Sequence, residues 1–338
     1  MKTTERTIFI GCGTGRCGTT SLAKLIDGCE DAVCTHERRP LLPWVFNEDL
    51  FHERVQWFST SSAAITGDVA YFYLPYLEKL IGVFPNLKVV CLERGRQEVI
   101  DSFMWKTRWQ NRWHSHDGIE WIKDNVWDPT FPKYDSMDKA QAIGAYWDEY
   151  RCSIRQIAKK FPTTVKILEM TELNTTPGQQ KIFDFLAIPE KSRRYVKKTR
   201  YNARKSEDRP WSKEDAIRWM QGLSWTAEDI ASIIPPGINF ILVDQEQIRD
   251  YLPAQYRAIP FLERDGVFWG PPSDDTAAIG ELNRLRQSGA EFIIFAWTAL
   301  WWLNYYTGLN TYLRSNFRCL IENDRIVGFD LRDTGQVD

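Results

Sequence analysis

Residues 7–22, TIFIGCGTGRCGTTSL, run from a short apolar stretch through a glycine-rich turn into the start of a helical pattern. Such a turn aims several backbone N–H groups at one point, and the dipole of the following helix adds about half a positive charge there. An anion is the expected guest. The spacing of Gly13 and Gly18 is that of the nucleoside-triphosphate loop GxxxxGK[ST], but Thr19 stands where the lysine belongs. Thr14, Gly15, Arg16, Cys17, Gly18, Thr19, Thr20 and Ser21 form the expected anion cradle, with hydroxyls from the threonines and serine and a guanidinium from Arg16. A tight strand-to-helix turn without a ligand is the plainer alternative. The β- and γ-phosphates of a triphosphate would lack their usual cation here, and no acidic strand end of the matching type is evident, so a kinase is disfavoured.

Outward from this loop, apolar runs alternate with helical patterns, as in a central, mostly parallel sheet flanked by helices, an α/β fold. Strands are expected at 7–11, 63–67, 87–93 and 164–169, and helices at about 18–28, 75–84, 97–109 and 136–160. Ile143, Trp147, Tyr150, Ile154 and Ile157 give the last helix one apolar face. Trp105, Trp109 and Trp113 recur at four-residue steps, which suits core packing or a groove wall. From 189 to 215 the chain is crowded with Arg and Lys, and two short helices are expected after it, capped by Ser212 and Thr226. Pro235-Pro236-Gly237 sets the expected boundary between a domain of residues 1–236 and a smaller C-terminal α/β module of 237–338. In that module Asp265-Gly266 marks a hairpin, Ser273 or Asp274 caps a helix ending at Gly289, and FRCLIEN and DRIVGFDL form a closing hairpin. Asp274, Asp275 and GVFWGPP could line a sugar site, although capping and packing account for them with less.

Forty-three basic against 45 acidic residues give a formal charge of -2, so no global field points to nucleic acid or a membrane surface. The most apolar stretch, 292–303, is about twelve residues, short of the roughly 20 that span a bilayer. Seven cysteines, an odd number, and a start without a secretory pattern suggest a reducing, cytoplasmic setting. No His, Cys or carboxylate spacing suits a metal.

The stretch TGRCGTTSL resembles the 5′-phosphosulfate loop of the sulfotransferases that use 3′-phosphoadenosine 5′-phosphosulfate (PAPS), roughly [KR][ST]GTT after a strand, with Cys17 replacing the usual Ser or Thr and Arg16 where many members have a catalytic lysine. Arg94 to Ser102, after the strand LKVVCLE, resembles the family's 3′-phosphate motif RxPxxxxxS, with Arg96 in the proline position. A third stretch, 167–189, resembles a structural signature ending in FLG[IL]. The resemblance spans residues 5–205 and implies a P-loop-NTPase-like sulfotransferase fold, PAPS as donor, adenosine 3′,5′-bisphosphate as product and no metal requirement. It implies Arg94 and Ser102 at the 3′-phosphate and, in the basic segment, Arg204 and Lys205 closing over the nucleotide.

Under this resemblance Arg16 stabilises the leaving phosphate, which needs a positive neighbour rather than a proton donor. Asp68, in GDVAYFYL, occupies the position of the family's base, and His36, just after the region where a second strand is expected to end, is its rival. The expected acceptor is a hydroxyl of a carbohydrate or glycoconjugate. Acceptor binding or self-association as a homo-oligomer are the roles open to the C-terminal module. A nucleotide or sugar kinase with an altered loop and a non-catalytic nucleotide-binding scaffold are the alternatives.

Overall fold

In the computed structural model of the chain, residues 6–196, 212–264, 267–268 and 270–332 are described. The chain divides into two compact units, Met1–Pro210 and Trp211–Asp338.

The first unit contains β1 (Thr7–Cys12), α1 (Thr19–Asp27), β2 (Ala32–His36), α2 (Glu48–Thr60), β3 (Ile65–Val69), α3 (Leu77–Val83), β4 (Leu87–Glu93), α4 (Arg96–Lys106), α5 (Lys139–Lys160), β5 (Val165–Glu169) and α6 (Thr176–Phe185). Its five strands lie in the order β2-β3-β1-β4-β5, and every pairing is parallel. Parallel strands must be covered on both faces, and side chains alternate along each strand accordingly. Ile8, Ile10 and Cys12 of β1 join α2, α3, α4 and α5 in one core, while Phe9 joins α1 and α6 in the other.

The strand order places the site. From β1 the chain moves towards β2, whereas from β4 it moves the opposite way, to β5. Neighbouring strands whose connections diverge leave a crevice beyond their carboxyl ends. The glycine-rich loop and Arg94 follow those two strand ends.

Several sequence expectations need correction. α2 was not anticipated, although Asn47 caps it by accepting from the Leu50 amide at 3.0 Å and Phe51 and Phe58 are buried. The helix carrying Trp105 ends at Lys106, so the Trp105–Trp109–Trp113 spacing is not helical throughout, and Trp113 is a fully buried core residue.

The second unit contains α7 (Lys213–Ile233), β6 (Asn239–Val243), β7 (Arg257–Pro260), β8 (Glu263–Arg264), β9 (Val267–Phe268), α8 (Asp275–Gln287), β10 (Phe292–Ala296), α9 (Trp301–Tyr305), α10 (Thr307–Asn316), β11 (Arg318–Glu322) and β12 (Ile326–Asp330). Its main sheet has the order β11-β12-β10-β6-β7, with β6 parallel to β7 and β10 and the β11–β12 hairpin antiparallel at the other edge. β8 and β9 pair as the hairpin expected there, whose Asp265-Gly266 turn lies outside the described residues.

The expected boundary at 236/237 moves upstream because α7 belongs to this second sheet. Its Leu223, Ala227 and Ile230 pack with Phe240, Leu242 and Ile294. Nor does Thr226 cap a second helix. It is buried mid-helix, and its hydroxyl donates to the Gly222 carbonyl one turn back at 2.7 Å. Asp274 does cap α8, accepting from the Ala277 amide at 2.8 Å, and Asp275 accepts from the Leu309 amide at 2.8 Å, so both are held by backbone. Among the described residues no helix is long and apolar enough to cross a membrane.

Candidate functional site

Between β1 and α1 the backbone turns through left-handed conformations at Gly15 (φ 78°), Arg16 (φ 57°) and Gly18 (φ 90°). Successive residues of this kind direct amide N–H groups into a concavity suited to an anion. Left-handed φ costs a non-glycine residue about 1–2 kcal/mol, so Arg16 is held there against its own preference. The N-terminus of α1 has no side-chain cap and no acidic residue in its first turn. Its leading amides are thus left to whatever the loop binds.

The Arg16 side chain crosses to α4, where Nε donates to Ser102 Oγ at 3.0 Å. Arg94 Nη1 donates back to the Arg16 carbonyl at 2.8 Å, and its Nη2 lies 3.6 Å from Glu98. Residues assigned to opposite ends of the donor therefore share one network. Arg94 Nε is buried without an acceptor, as is Nε of Arg112. Burial first, then the Arg94 charge, hold the Arg16 guanidinium below its ordinary value; Arg112 adds to this, while Glu37 and Cys17 oppose it. Partly buried like charges with an orphaned donor fit an anionic group. Arg96, which replaces the expected proline, instead pairs with Asp148 on α5 at 2.9 Å, at the exposed rim.

One helix pins both loops. From α5, Tyr146 donates to the Thr14 carbonyl at 3.0 Å, Tyr150 accepts from the Gly13 amide at 3.0 Å, and Trp147 Nε1 donates to the Arg94 carbonyl at 3.0 Å. Trp147 and Tyr150 belong to the apolar face expected from the sequence, yet each spends its polar tip on a loop. The sequence signal for this role is chemical: a buried Tyr or Trp needs a partner for its polar tip.

Thr35 and His36 are adjacent on β2 and so face opposite sides of the sheet. His36 Nε2 lies 3.1 Å from Thr19 Oγ1 and 3.3 Å from Thr20 Oγ1, while Nδ1 is 3.7 Å from the Glu37 carboxylate. The imidazole is thus part of the cradle.

Asp68 faces the other way. Its carboxylate is fully buried and accepts from Thr35 Oγ1 at 2.7 Å, Tyr73 OH at 2.7 Å, Arg54 Nη1 at 3.1 Å and the Arg38 amide at 3.2 Å. Arg54, itself buried on α2, also donates to the Arg38 and Pro40 carbonyls at 2.5 and 2.8 Å. A carboxylate has about four lone-pair sites, and these donors occupy them. The expectation of a base at Asp68 fails on that ground, and the residue anchors α2 and the segment after β2 to the sheet.

Cys17 contributes backbone only. Its thiol is buried in the α1 core, and burial pushes it up to about 12. Arg204 and Lys205 lie outside the described residues. Among the described residues no group of three or more His, Cys, Asp or Glu side chains is placed to hold a metal ion. Comparisons with protein-family models and with curated proteins found no match to this chain.

Proposed function

We propose that the first unit is a PAPS-dependent sulfotransferase that transfers a sulfuryl group to a hydroxyl of a carbohydrate or glycoconjugate. The reading rests on one observation above the rest: the Arg16–Ser102 and Arg94–Arg16 bonds unite the glycine-rich loop and the β4–α4 turn into one anion-ready surface. The donor supplies an activated sulfur–oxygen bond. Transfer forms a bond from the acceptor oxygen to sulfur, breaks the bond from sulfur to the bridging phosphate oxygen, and releases adenosine 3′,5′-bisphosphate.

The chain's own residues have three tasks. The loop amides and the hydroxyls of Thr19, Thr20 and Ser21 hold the 5′-end, and Arg94 and Ser102 hold the 3′-phosphate through charge-assisted bonds. Arg16, permanently charged, faces the oxygen on which charge collects as the sulfur departs. His36 takes the acceptor proton, with Glu37 beside Nδ1 to steady the imidazolium that results.

Thermal denaturation tests the donor class. Adenosine 3′,5′-bisphosphate in EDTA, at about 100 times its dissociation constant, stabilises by about 2.7 kcal/mol, or roughly 5–10 °C for a unit of this size. Stabilisation by ATP with magnesium, and none by the bisphosphate, would transfer the assignment to a kinase.

A further inference from the structure

We infer that the second unit carries a binding site of its own for a neutral sugar, in a cleft of about 490 Å³ floored and walled by Trp219, Trp225 and Trp297. The inference does not rest on the donor assigned to the first unit. Its lining comes from α7, from Trp297 after β10 and from the β11–β12 turn, next to the point where the connections of the sheet diverge. β6 leads to β7 on one side, whereas β10 leads through α9 and α10 to β11 and β12 on the other, so the connections diverge between these neighbouring strands. The crevice beyond their carboxyl ends is where open α/β sheets take ligands. Trp297 is the first residue after β10, and Thr298 Oγ1 donates to the Asp244 carbonyl at 2.8 Å, tying the two strand ends together beside the cleft.

On the wall from α7, Trp219 packs together with Trp297 against the core, whereas Trp225 stands clear of it. Asp215, Arg218, Trp219, Gly222 and Trp225 recur at three- and four-residue steps, one stripe of the helix, beside the core stripe of Leu223, Ala227 and Ile230. Trp225 is 48% exposed, a large apolar ring left uncovered by its own unit. A glycine inside a helix costs about 0.5–1 kcal/mol relative to alanine. At Gly222 nothing in the packing demands it, because an added Cβ would meet Trp297 Cζ2 at 3.4 Å, an ordinary contact. What the missing side chain provides is close approach of the Trp297 indole to α7, with three of its atoms within 4 Å of where a Cβ would stand. That indole meets Trp219 edge to face at 4.5 Å, and its Nε1 is buried without an acceptor.

Charge decides the class of occupant. Asp215 and Asp324 stand with Arg218 and Arg325, and Arg325 is itself paired with Asp229, so the lining has no surplus of positive charge to offer an anion. Asp215 and Arg218 approach to 3.4 Å at the rim, and Arg325 is held by Asp229 through bonds of 2.6 and 3.0 Å. A neutral ring with apolar faces and hydroxylated edges matches flat indoles surrounded by carboxylates and guanidiniums. A sugar has that form, and a chain of sugars can lie along an open cleft.

The test uses the full-length protein, calorimetry and saturation-transfer NMR. The probes are neutral hexasaccharides: maltohexaose, cellohexaose, xylohexaose, mannohexaose and chitohexaose. At least one should bind saturably and be weakened about tenfold or more by Trp225→Ala. Gly222→Leu, whose side chain extends beyond the Trp297 contact and fills the cleft, should abolish binding. No saturable binding by any of the five overturns the inference. So does binding that Gly222→Leu leaves unchanged, or an anionic hexasaccharide such as hexagalacturonate that binds more tightly and with the same dependence on Gly222.

Discussion

Thr35, Tyr73, Arg54 and the Arg38 amide occupy the lone pairs of Asp68, and each partner is itself enclosed or part of the backbone. Removing one member of a buried pair leaves the other charge uncompensated, at a cost of about 3–5 kcal/mol. Asp68→Asn is therefore expected to lower stability to urea by that amount; an unchanged midpoint would return Asp68 to the candidates for the base. At His36 the expectation is reversed: His36→Gln keeps the fold and nucleotide binding while turnover falls about 10²-fold or more. Retained turnover would exclude the imidazole. Lys139 on α5 supplies a pH test. Burial, with a smaller push from Arg112, lowers its ammonium to about 7, and its Nζ donates to the Thr107 carbonyl. Because the unfolded value is about 10.4, the unfolded chain holds more protons between those limits. Stability thus rises with pH across that window, and the burial penalty is carried in full below it. Lys139→Met should flatten this rise and increase the melting temperature most at about pH 6, by about 2–4 °C for each kcal/mol relieved. A profile parallel to that of the unmodified protein would contradict the assignment.

At the scale of elements, α5 positions the site through bonds to the backbone of both loops. Tyr150 accepts from the Gly13 amide and donates to the Tyr71 carbonyl at 3.0 Å, joining the loop to the segment after β3. Tyr150→Phe leaves a buried amide unpaired, at about 1–3 kcal/mol. Nucleotide affinity should fall about tenfold, and equal affinity in the two proteins would show that the loop holds its shape unaided. The legibility of the elements follows the same division. β1 and β4 were evident because a parallel strand buried on both faces is a continuous apolar run, and the loop after β1 because its glycines serve left-handed backbone. α2 was passed over, and Arg54 with it, so Asp68 was read without the partner that commits it. The single helix α7 was divided in two because Thr226 looked like a cap, when it is a buried hydroxyl bonded within its own helix. The geometry of α5 depends on residues far apart in sequence, such as Tyr146 and Thr14, and no local pattern encodes it.

For the molecule as a whole, two α/β sheets each have a point where their connections diverge, and a buried donor without a partner lies at the strand end beside each: Arg94 Nε in one unit, Trp297 Nε1 in the other. The central claim concerns the first. Calorimetric titration of adenosine 3′,5′-bisphosphate in EDTA, into the full chain and into its Arg94→Ala variant, tests it most directly. The account predicts saturable binding to the former and a loss of about 1.5–3 kcal/mol, the value of a charge-assisted bond, in the latter. Absence of heat with the unmodified protein, or equal affinity in both, would contradict it.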